Sequence, residues 1–251
     1  MLTSVRSLLA ATLVAGTALA ASPALADETD PPSSITVTGN AALVTDYRFR
    51  GVSLSAGKVA VQGSINVNHS SGLYAGTWAS SLEQDAGDVY GSTEVDVYAG
   101  WTGKVSSGLT ADVGLLYYVY PSGSQGTGNL LEPYASLTAA IGPATAKFGM
   151  NYAWKQSSLG NDDNLYLYSD WSLAVPNTPL TVTAHAGHTN GALSPKRLTL
   201  AGTGGGWDYS LSASATLYKG LSVGLAYVGV DGRSIKNFSD DAIVGSLKYS
   251  F

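Results

Sequence analysis

The chain has 251 residues, a formal net charge of −5 and no cysteine. The acidic balance disfavours nucleic acid as a partner, and the missing cysteines exclude both a disulfide framework and a thiolate metal site. Only 12 % of the residues are charged while 45 % are hydrophobic, which is closer to a membrane protein than to an ordinary soluble domain.

The first residues have the pattern of a secretory signal peptide. Arg6 supplies a positive charge, residues 8–20 form an uncharged run, and Ala24-Leu25-Ala26 offers a small-x-small cleavage pattern. The uncharged run is too short to cross a bilayer as a helix. We therefore expect a cleaved signal peptide rather than a membrane anchor.

The sequence predicts three parts, the first removed by cleavage after Ala26, with a cut after Ala20 as the alternative. Residues 1–26 are the predicted signal peptide, 27–40 a periplasmic lead-in, and 41–251 a transmembrane barrel. Arg6 is the only charge in the signal, so the mature chain has 12 basic and 18 acidic residues.

The mature chain alternates apolar and polar residues almost throughout, as strands with two unlike faces do. No stretch approaches the 18 apolar residues of a membrane-spanning helix, so only a β-barrel fits both the composition and a bilayer. The pattern predicts twelve strands, an even number as in bacterial barrels. The predicted strands are 41–52, 59–69, 72–81, 91–101, 108–119, 129–140, 143–154, 163–173, 179–188, 206–218, 221–230 and 241–251.

The connections alternate in length. Those after even-numbered strands are short: 70–71, 103–107, 142–143, 176–179 and 219–220. Those after odd-numbered strands are mostly long and polar: 82–90, 120–128, 155–162, 189–205 and 231–240. Outer-membrane barrels have short periplasmic turns and long extracellular loops, whereas a soluble sandwich has no reason to sort its connections in this way.

The charges assign the two faces of the strands. One face carries no Asp, Glu, Lys or Arg and is assigned to lipid, with aromatic girdles near the strand ends. The girdle residues are Phe49, Trp101, Tyr117, Trp154, Trp171, Tyr227 and Tyr249. The other face carries the predicted pore lining: Asp46, Arg48, Arg50, Glu94, Asp96, Asp112, Glu132, Lys147, Asp170 and Lys248. The facing of 72–81 stays open because Tyr74 and Trp78 share a face with Gly76 and Ser80.

Closing the barrel places Arg48, Arg50 and Lys248 on one wall and the acids of the fourth to sixth strands towards the other. Two arrangements of the lumen stay open. In one, an acidic wall faces a basic wall and the field between them orients polar solutes. In the other, the charges pair into a buried polar network that plugs the barrel.

Residues 45–53, with the sequence TDYRFRGVS, resemble the opening strand of TorF-family porins, a conserved family of proteobacterial outer-membrane barrels. The runs 61–65, 74–78, 94–100 and 120–121 are similar to that family too, so the resemblance covers most of the mature chain. Val59 stands in a loop where the family pattern would have proline. The resemblance implies an outer-membrane barrel and a porin, and supplies no substrate.

The histidines give little support for an enzyme. Some outer-membrane lipases and deacylases carry His-x-Ser-Asn on one strand, and the nearest run here is His188-Thr189-Asn190. Alternation puts Thr189 on the opposite face from His188, beyond hydrogen-bond reach. His69 and His185 have no evident serine partner. No His and carboxylate spacing suggests a transition-metal site, and the paired acids at 162–163 and 240–241 read as solvated loop residues rather than a Ca²⁺ site.

The last strand alternates apolar residues to its end. Leu247, Tyr249 and Phe251 resemble the signal read by the barrel assembly machinery, because a strand of this kind can add to an open sheet edge while its apolar face meets lipid. We predict that these residues direct assembly.

The sequence as a whole predicts an all-β, antiparallel transmembrane barrel in the outer membrane of a Gram-negative bacterium. Its predicted function is that of a porin-like channel for passive diffusion of small polar solutes. A closed scaffold or surface-binding barrel is the alternative, and a lipid-acting enzyme is less well supported. The expected partners are outer-membrane lipid, lipopolysaccharide, the barrel assembly machinery and small polar solutes, with no nucleic acid, cofactor or metal.

Overall fold

The computed structural model describes residues 34–83, 89–124 and 128–251. The predicted signal peptide and its cleavage site lie outside these residues. No helix among the described residues is long and apolar enough to span a membrane.

Twelve antiparallel strands close into one barrel, in which each strand pairs with its neighbours in the chain and the last pairs with the first. A small hairpin, β2 and β3, stands apart from the barrel. The strands are β1 Ile35–Val44, β2 Arg48–Phe49, β3 Val52–Ser53, β4 Ala60–His69, β5 Leu73–Ser81, β6 Thr93–Ser106, β7 Leu109–Val119, β8 Leu130–Ile141, β9 Ala144–Gln156, β10 Asp162–Ala174, β11 Leu180–Gly191, β12 Gly206–Tyr218, β13 Leu221–Val230 and β14 Ala242–Ser250. The described helices are a single 3-10 turn, Ser157–Leu159, and one α-helical turn, α1 Pro195–Leu198. The prediction of a closed antiparallel barrel of twelve strands is confirmed.

Alternation along each strand separates an apolar outer face from a polar lumen. On β12, Leu211 points outward and is exposed, while Ser210 and Ser212 point inward. Because large apolar side chains cover the outside, the barrel is apolar where a soluble protein would be polar, as lipid contact requires. On β5, Tyr74 and Trp78 point into the lumen, which settles the facing that the sequence leaves open.

The connections sort onto two rims. One rim, called here the short-turn rim, carries the turns at 70–72, 107–108, 142–143, 175–179 and 219–220. The other, the long-loop rim, carries the connections 45–59, 82–92, 120–129, 157–161, 192–205 and 231–241. Both Ile35 and Phe251 lie at the short-turn rim, since Ile35 is opposite His69 and Phe251 is bonded beside β1.

The barrel closes between β1 and β14, from Asn40 opposite Ser250 to Val44 opposite Ser246. Phe251 extends this seam, because its N–H donates to the Gly39 carbonyl and its own carbonyl accepts the Gly39 N–H, both at 3.0 Å. A Cβ on Gly39 would stand 2.7 Å from the Phe251 ring. Because Gly39 has no Cβ, the Phe251 ring has room to lie against the barrel wall.

The prediction of a first strand over 41–52 is wrong. Residues 35–40, predicted as lead-in, form most of β1, and the strand ends at Val44. The alternating residues that follow leave the wall and fold into the lumen, where Phe49 is 1 % exposed rather than facing lipid. Phe49 therefore does not belong to a girdle. Its burial against other lumen residues produces the same alternation of apolar and polar residues as contact with lipid would.

The other predicted girdle residues are exposed on the outer face. Those near the short-turn rim are Trp101, Trp171 and Tyr249, and those near the long-loop rim are Tyr117, Trp154 and Tyr227. The two sets mark two levels on the barrel, as interfacial aromatics do at the two sides of a bilayer.

Candidate functional site: the lumen and its inward segment

Residues 45–59, called here the inward segment, connect β1 to β4, and their central part, 46–55, is largely buried inside the barrel. The hairpin of β2 and β3 turns at Arg50 and Gly51, whose φ angles are 43° and 81°. A Cβ on Gly51 would stand 2.1 Å from a methyl carbon of Val230 on β13. Glycine is needed at this point both for the left-handed turn and for the close approach to β13.

Asp46 folds the segment onto itself. Its carboxylate accepts the hydroxyls of Ser53 and Ser55 at 2.5 and 3.0 Å. It also accepts Nε of Arg48 at 2.5 Å. Because Asp46 is buried, these three donors compensate a carboxylate that would otherwise be costly to take out of water.

Arg48 joins the segment to the long connection after β13. Its Nη1 donates to the Asp240 carbonyl at 2.6 Å, and its Nη2 lies 3.4 Å from the Asp240 carboxylate. The N–H of Ser53 donates to the carbonyl of Phe238 in the same connection at 2.7 Å. The hairpin is therefore held at the long-loop rim.

Arg50 crosses the lumen to the far wall. Its Nη2 donates to both carboxylate oxygens of Glu132 at 2.9 Å. Glu132 also accepts the Tyr118 hydroxyl at 2.9 Å and the Asn151 amide at 3.1 Å. The guanidinium carbon lies 4.2 Å from the centre of the Tyr166 ring. Burial lowers the pKa of Arg50, but the Glu132 carboxylate more than offsets this and the pKa is raised overall, so the pair is ionic.

Tyr47 reaches a second acidic position, on β6. Its hydroxyl donates to Glu94 at 3.3 Å, and its ring lies 5.4 Å from that of Trp78. Burial, followed by the negative charges of Glu94 and Asp96, raises the pKa of Tyr47 well above its ordinary value. The phenol therefore stays protonated and acts as a donor.

Glu94 and Asp96 are the least compensated acids of the lumen. They are next-but-one neighbours on the inward face of β6 and are 0 % and 2 % exposed. One oxygen of each carboxylate has no hydrogen-bond partner. Within the part of the chain that the structure describes, the lysines and arginines make their ion pairs with other acids.

A third polar cluster surrounds His185. Nδ1 of His185 lies 2.6 Å from Asp170, and Nε2 lies 2.9 Å from Asp208. The Tyr166 hydroxyl donates to Asp208 at 3.1 Å. Tyr166 thus contacts Arg50 with its ring and the histidine cluster with its hydroxyl, which connects the two.

Tyrosines line the half of the lumen towards the short-turn rim. The Tyr74 hydroxyl donates to Asp112 at 2.6 Å and contacts the hydroxyl of Tyr134. Each ring lies close to a glycine of a neighbouring strand. A Cβ at Gly100 would stand about 2.5 Å from the Tyr74 hydroxyl oxygen, and a Cβ at Gly114 about as close to that of Tyr134. Glycines opposite the rings thus keep the tyrosines against the wall instead of across the lumen.

Exposure divides the lumen into two halves. Around the inward segment, inward side chains such as Tyr118, Leu130 and Thr189 are buried completely or nearly so. Further towards the short-turn rim, Asp170 and His185 keep 26 % and 22 % of their side-chain surface exposed. Water therefore reaches the lumen from the short-turn rim up to the level of the inward segment.

The structure places the predicted pore-lining residues in two groups. Asp46, Arg48 and Arg50 lie on the inward segment and not on a strand. The residues that point inward from barrel strands are Glu94, Asp96, Asp112, Glu132, Lys147, Asp170 and Lys248. A role of either group in lining a conducting pore stays a prediction.

The hypothesis of a basic wall facing an acidic wall across the lumen is wrong for Arg48 and Arg50. Both lie on the inward segment, and Arg50 pairs directly with an acid that it was expected to oppose. The arrangement is closer to the paired network that the sequence also allowed.

The sequence did not identify Asp208, His185, Asn151 or the lumen tyrosines as members of these clusters. Asp208 shares the inward face of β12 with Ser210, so alternation alone contained the signal for it. In the sequence, His185 has no evident serine partner and therefore indicates no catalytic role. Its partners lie 15 and 23 positions away, and no local motif identifies them.

The residues compared above with an enzyme motif, His188 and Thr189, and the loop acids Asp162 and Asp240 have other partners. His188 points outward and packs on Trp207, with ring centres 4.8 Å apart, while Thr189 is buried on the inner face. Asp162 binds Arg197 at 2.6 Å, and Asp240 binds Arg48.

Comparisons with solved structures give the same fold. "NanC porin structure in rhombohedral crystal form" is 13 % identical with a TM-score of 0.58, and covers 86 % of this chain and 99 % of that one. "KdgM porin" is 12 % identical with a TM-score of 0.58, covering 85 % and 99 %. "KdgM porin in complex with disordered oligogalacturonate" is 10 % identical with a TM-score of 0.58, covering 86 % and 99 %. At such identities the likeness is one of fold.

In sequence, the model of a family described as "Bacterial protein of unknown function (Gcw_chp)" matches residues 28–251. No curated protein matches the chain at a significant level. The resemblance to TorF-family porins stays a prediction.

Proposed function

Because the chain belongs to the Gcw_chp family, whose function is unknown, we propose a function from the geometry of the barrel. We infer a porin-like channel of the outer membrane for the passive passage of small polar solutes. In the structure, the inward segment fills the half of the lumen towards the long-loop rim.

The orientation of the channel follows from its two rims. Short turns face the periplasm and long loops face the exterior in outer-membrane barrels, so the inward segment lies on the extracellular side. On this proposal, lipid and lipopolysaccharide surround the barrel. A signal peptide exports the chain, and the barrel assembly machinery inserts it.

The observation that carries the proposal is that a connecting segment, and not the wall, obstructs the lumen. Twelve strands enclose a wider lumen than eight strands, whose side chains just fill the interior. The inward segment belongs to none of the barrel ladders and is held by its own hairpin, side-chain contacts and a few loop bonds. It can therefore move while all twelve strands stay paired, as loops that gate binding sites do.

A closed scaffold is the second candidate, and the same segment favours it. A barrel whose outer half is filled by a buried ion pair and packed aromatics could serve only to present its long loops. The two functions differ in one respect that can be measured, because only the channel conducts when the segment is displaced.

The deciding experiment is conductance of the purified barrel in a planar bilayer. The variants are the wild type, a variant with residues 48–53 replaced by a short Gly-Ser linker, and Arg197→Ala as a control in an outer loop. We expect discrete conductance steps that become larger or more frequent in the linker variant and stay unchanged in Arg197→Ala. Silent bilayers for correctly folded wild type and linker variant alike would establish the scaffold.

A further inference from the structure

We propose that the lumen selects cationic solutes, and that guanidinium and primary ammonium groups are the chemistry it recognises. The inference rests on the proposed channel function and adds the class of solute. On this view, Arg50 of the inward segment occupies the Glu132 site on the wall. When the segment moves away, a cationic solute binds there in place of Arg50.

The wall itself is acidic once the inward segment is considered separately. The inward carboxylates of the barrel strands are Glu94, Asp96, Asp112, Glu132, Asp170 and Asp208. Against them, Lys147 and Lys248 point inward within the described strands, and Lys104 and Lys155 lie near the ends of β6 and β9. A lumen lined mainly by one sign of charge concentrates ions of the opposite sign and repels ions of the same sign.

The Glu132 site already shows how the wall holds a guanidinium group. Glu132 is fixed by the Tyr118 hydroxyl and the Asn151 amide, which leaves both of its oxygens directed at the nitrogen of Arg50. The Tyr166 ring covers the guanidinium at 4.2 Å. A fixed carboxylate together with an aromatic face is the arrangement that binds guanidinium and ammonium ions through charge and cation–π attraction.

Glu94 and Asp96 form a second site for which the described residues supply no cation. Both carboxylates are buried, each has an oxygen without a partner, and no described lysine or arginine pairs with them. Isolated buried carboxylates are costly and are normally paired or neutralised. A small cation between the two carboxylates provides that pairing. Tyr47 and Trp78 supply the aromatic faces beside it.

The acids follow one another through the barrel. Glu94 and Asp96 lie in the outer half, Glu132 and Asp208 lie beside the inward segment, and Asp170 and Asp112 continue towards the short-turn rim. Displacing the segment removes Arg48 and Arg50 from the lumen and leaves these acids in place. The open state is therefore more cation-selective than the closed one.

The test measures the reversal potential of single channels in a KCl gradient. We expect the wild type and the 48–53 linker variant to prefer K⁺ over Cl⁻, with the stronger preference in the linker variant. Guanidinium chloride at millimolar concentration should reduce the K⁺ current. Glu94→Gln/Asp96→Asn should lower the K⁺ to Cl⁻ ratio several-fold. Asp231→Asn, at a partly exposed loop acid that pairs with Lys196, is the matched control and should leave the ratio unchanged.

The outcomes separate the two proposals. A conducting barrel that prefers Cl⁻, or in which Glu94→Gln/Asp96→Asn and Asp231→Asn behave alike, overturns the solute class and leaves the channel standing. A silent barrel overturns the channel, and Trp78 fluorescence then tests the site. Guanidinium should change that fluorescence saturably in the wild type and not in Glu94→Gln/Asp96→Asn, with Trp78→Phe identifying the signal. No saturable change in the wild type overturns the cation site.

Discussion

Arg50 and Glu132 stand 82 positions apart in the chain, yet one guanidinium nitrogen of Arg50 lies 2.9 Å from each carboxylate oxygen of Glu132. Their side chains are 1 % and 0 % exposed. A buried pair of this kind adds little net stability, because desolvation of both charges offsets their attraction, whereas losing one partner leaves the other charge uncompensated. The pair therefore fixes where the inward segment lies more than it stabilises the barrel.

We expect Arg50→Ala to lower the free energy of unfolding by roughly 3–5 kcal/mol, the usual cost of removing one member of a buried pair. Arg50→Met/Glu132→Leu should be much milder, since it removes both charges and keeps most of the volume. Urea unfolding in lipid vesicles, followed by tryptophan fluorescence, measures both. Equal losses in the single and double variants would show that packing of the segment, and not the ion pair, is responsible.

Trypsin reports the position of the inward segment directly. Arg48 and Arg50 are buried in the lumen, whereas Arg233 and Lys236 are exposed in the connection after β13. We expect trypsin to cut the folded barrel after Arg233 or Lys236 and to spare Arg48 and Arg50. Glu132→Gln should make Arg48 and Arg50 cleavable, because it weakens the bond that holds the hairpin. Rapid cleavage at Arg50 in the wild-type barrel would contradict the closed state.

The sequence predicted the barrel well because each strand carries its own period-2 pattern, as in β12, whose bounds agree at both ends. It failed at the first strand, since residues 45–52 show the same alternation while Tyr47 and Phe49 are buried in the lumen. Local periodicity identifies a face that avoids water and does not reveal whether lipid or protein covers it.

The lumen was predictable only in part, for a related reason. Alternation placed Glu94 and Glu132 on the inner face, where they lie. It gave no sign that Arg50 would cross from a connecting segment to reach Glu132, because that contact depends on how the segment folds in three dimensions. The pairing of His185 with Asp208 depends on the register between β11 and β12 in the same way.

The outer face can be tested by placing a charge at the level of the hydrocarbon. Leu211 lies mid-strand on β12 and points outward, while its neighbour Ser212 points into the lumen. Leu211→Arg should cost roughly 2–4 kcal/mol of folding free energy near the bilayer midplane. Ser212→Arg, the same side chain one residue along, should be tolerated. Folding titrations in lipid vesicles measure the difference, and equal costs would contradict the assignment of the two faces.

The seam between β1 and β14 gives the last prediction. Phe251 forms two 3.0 Å backbone hydrogen bonds with Gly39, and its ring lies in the space that the missing Cβ leaves. With Leu247 and Tyr249 it forms the apolar outward row of β14, which we propose as the signal for assembly. Phe251→Asp should therefore reduce the fraction of protein that runs as a folded, heat-modifiable barrel and increase degradation in cells.

Two further variants make that prediction specific. Leu200→Asp is the matched control, because Leu200 is 59 % exposed in the long connection after β11 and Phe251 is 64 % exposed, so both changes place a carboxylate on an exposed apolar residue. Gly39→Leu should reduce the folded fraction as Phe251→Asp does, since a Cβ there also meets the backbone oxygen of Ser64 at 2.7 Å. If Phe251→Asp and Leu200→Asp gave equal folded fractions, closure at this seam would not depend on the terminal aromatic side chain.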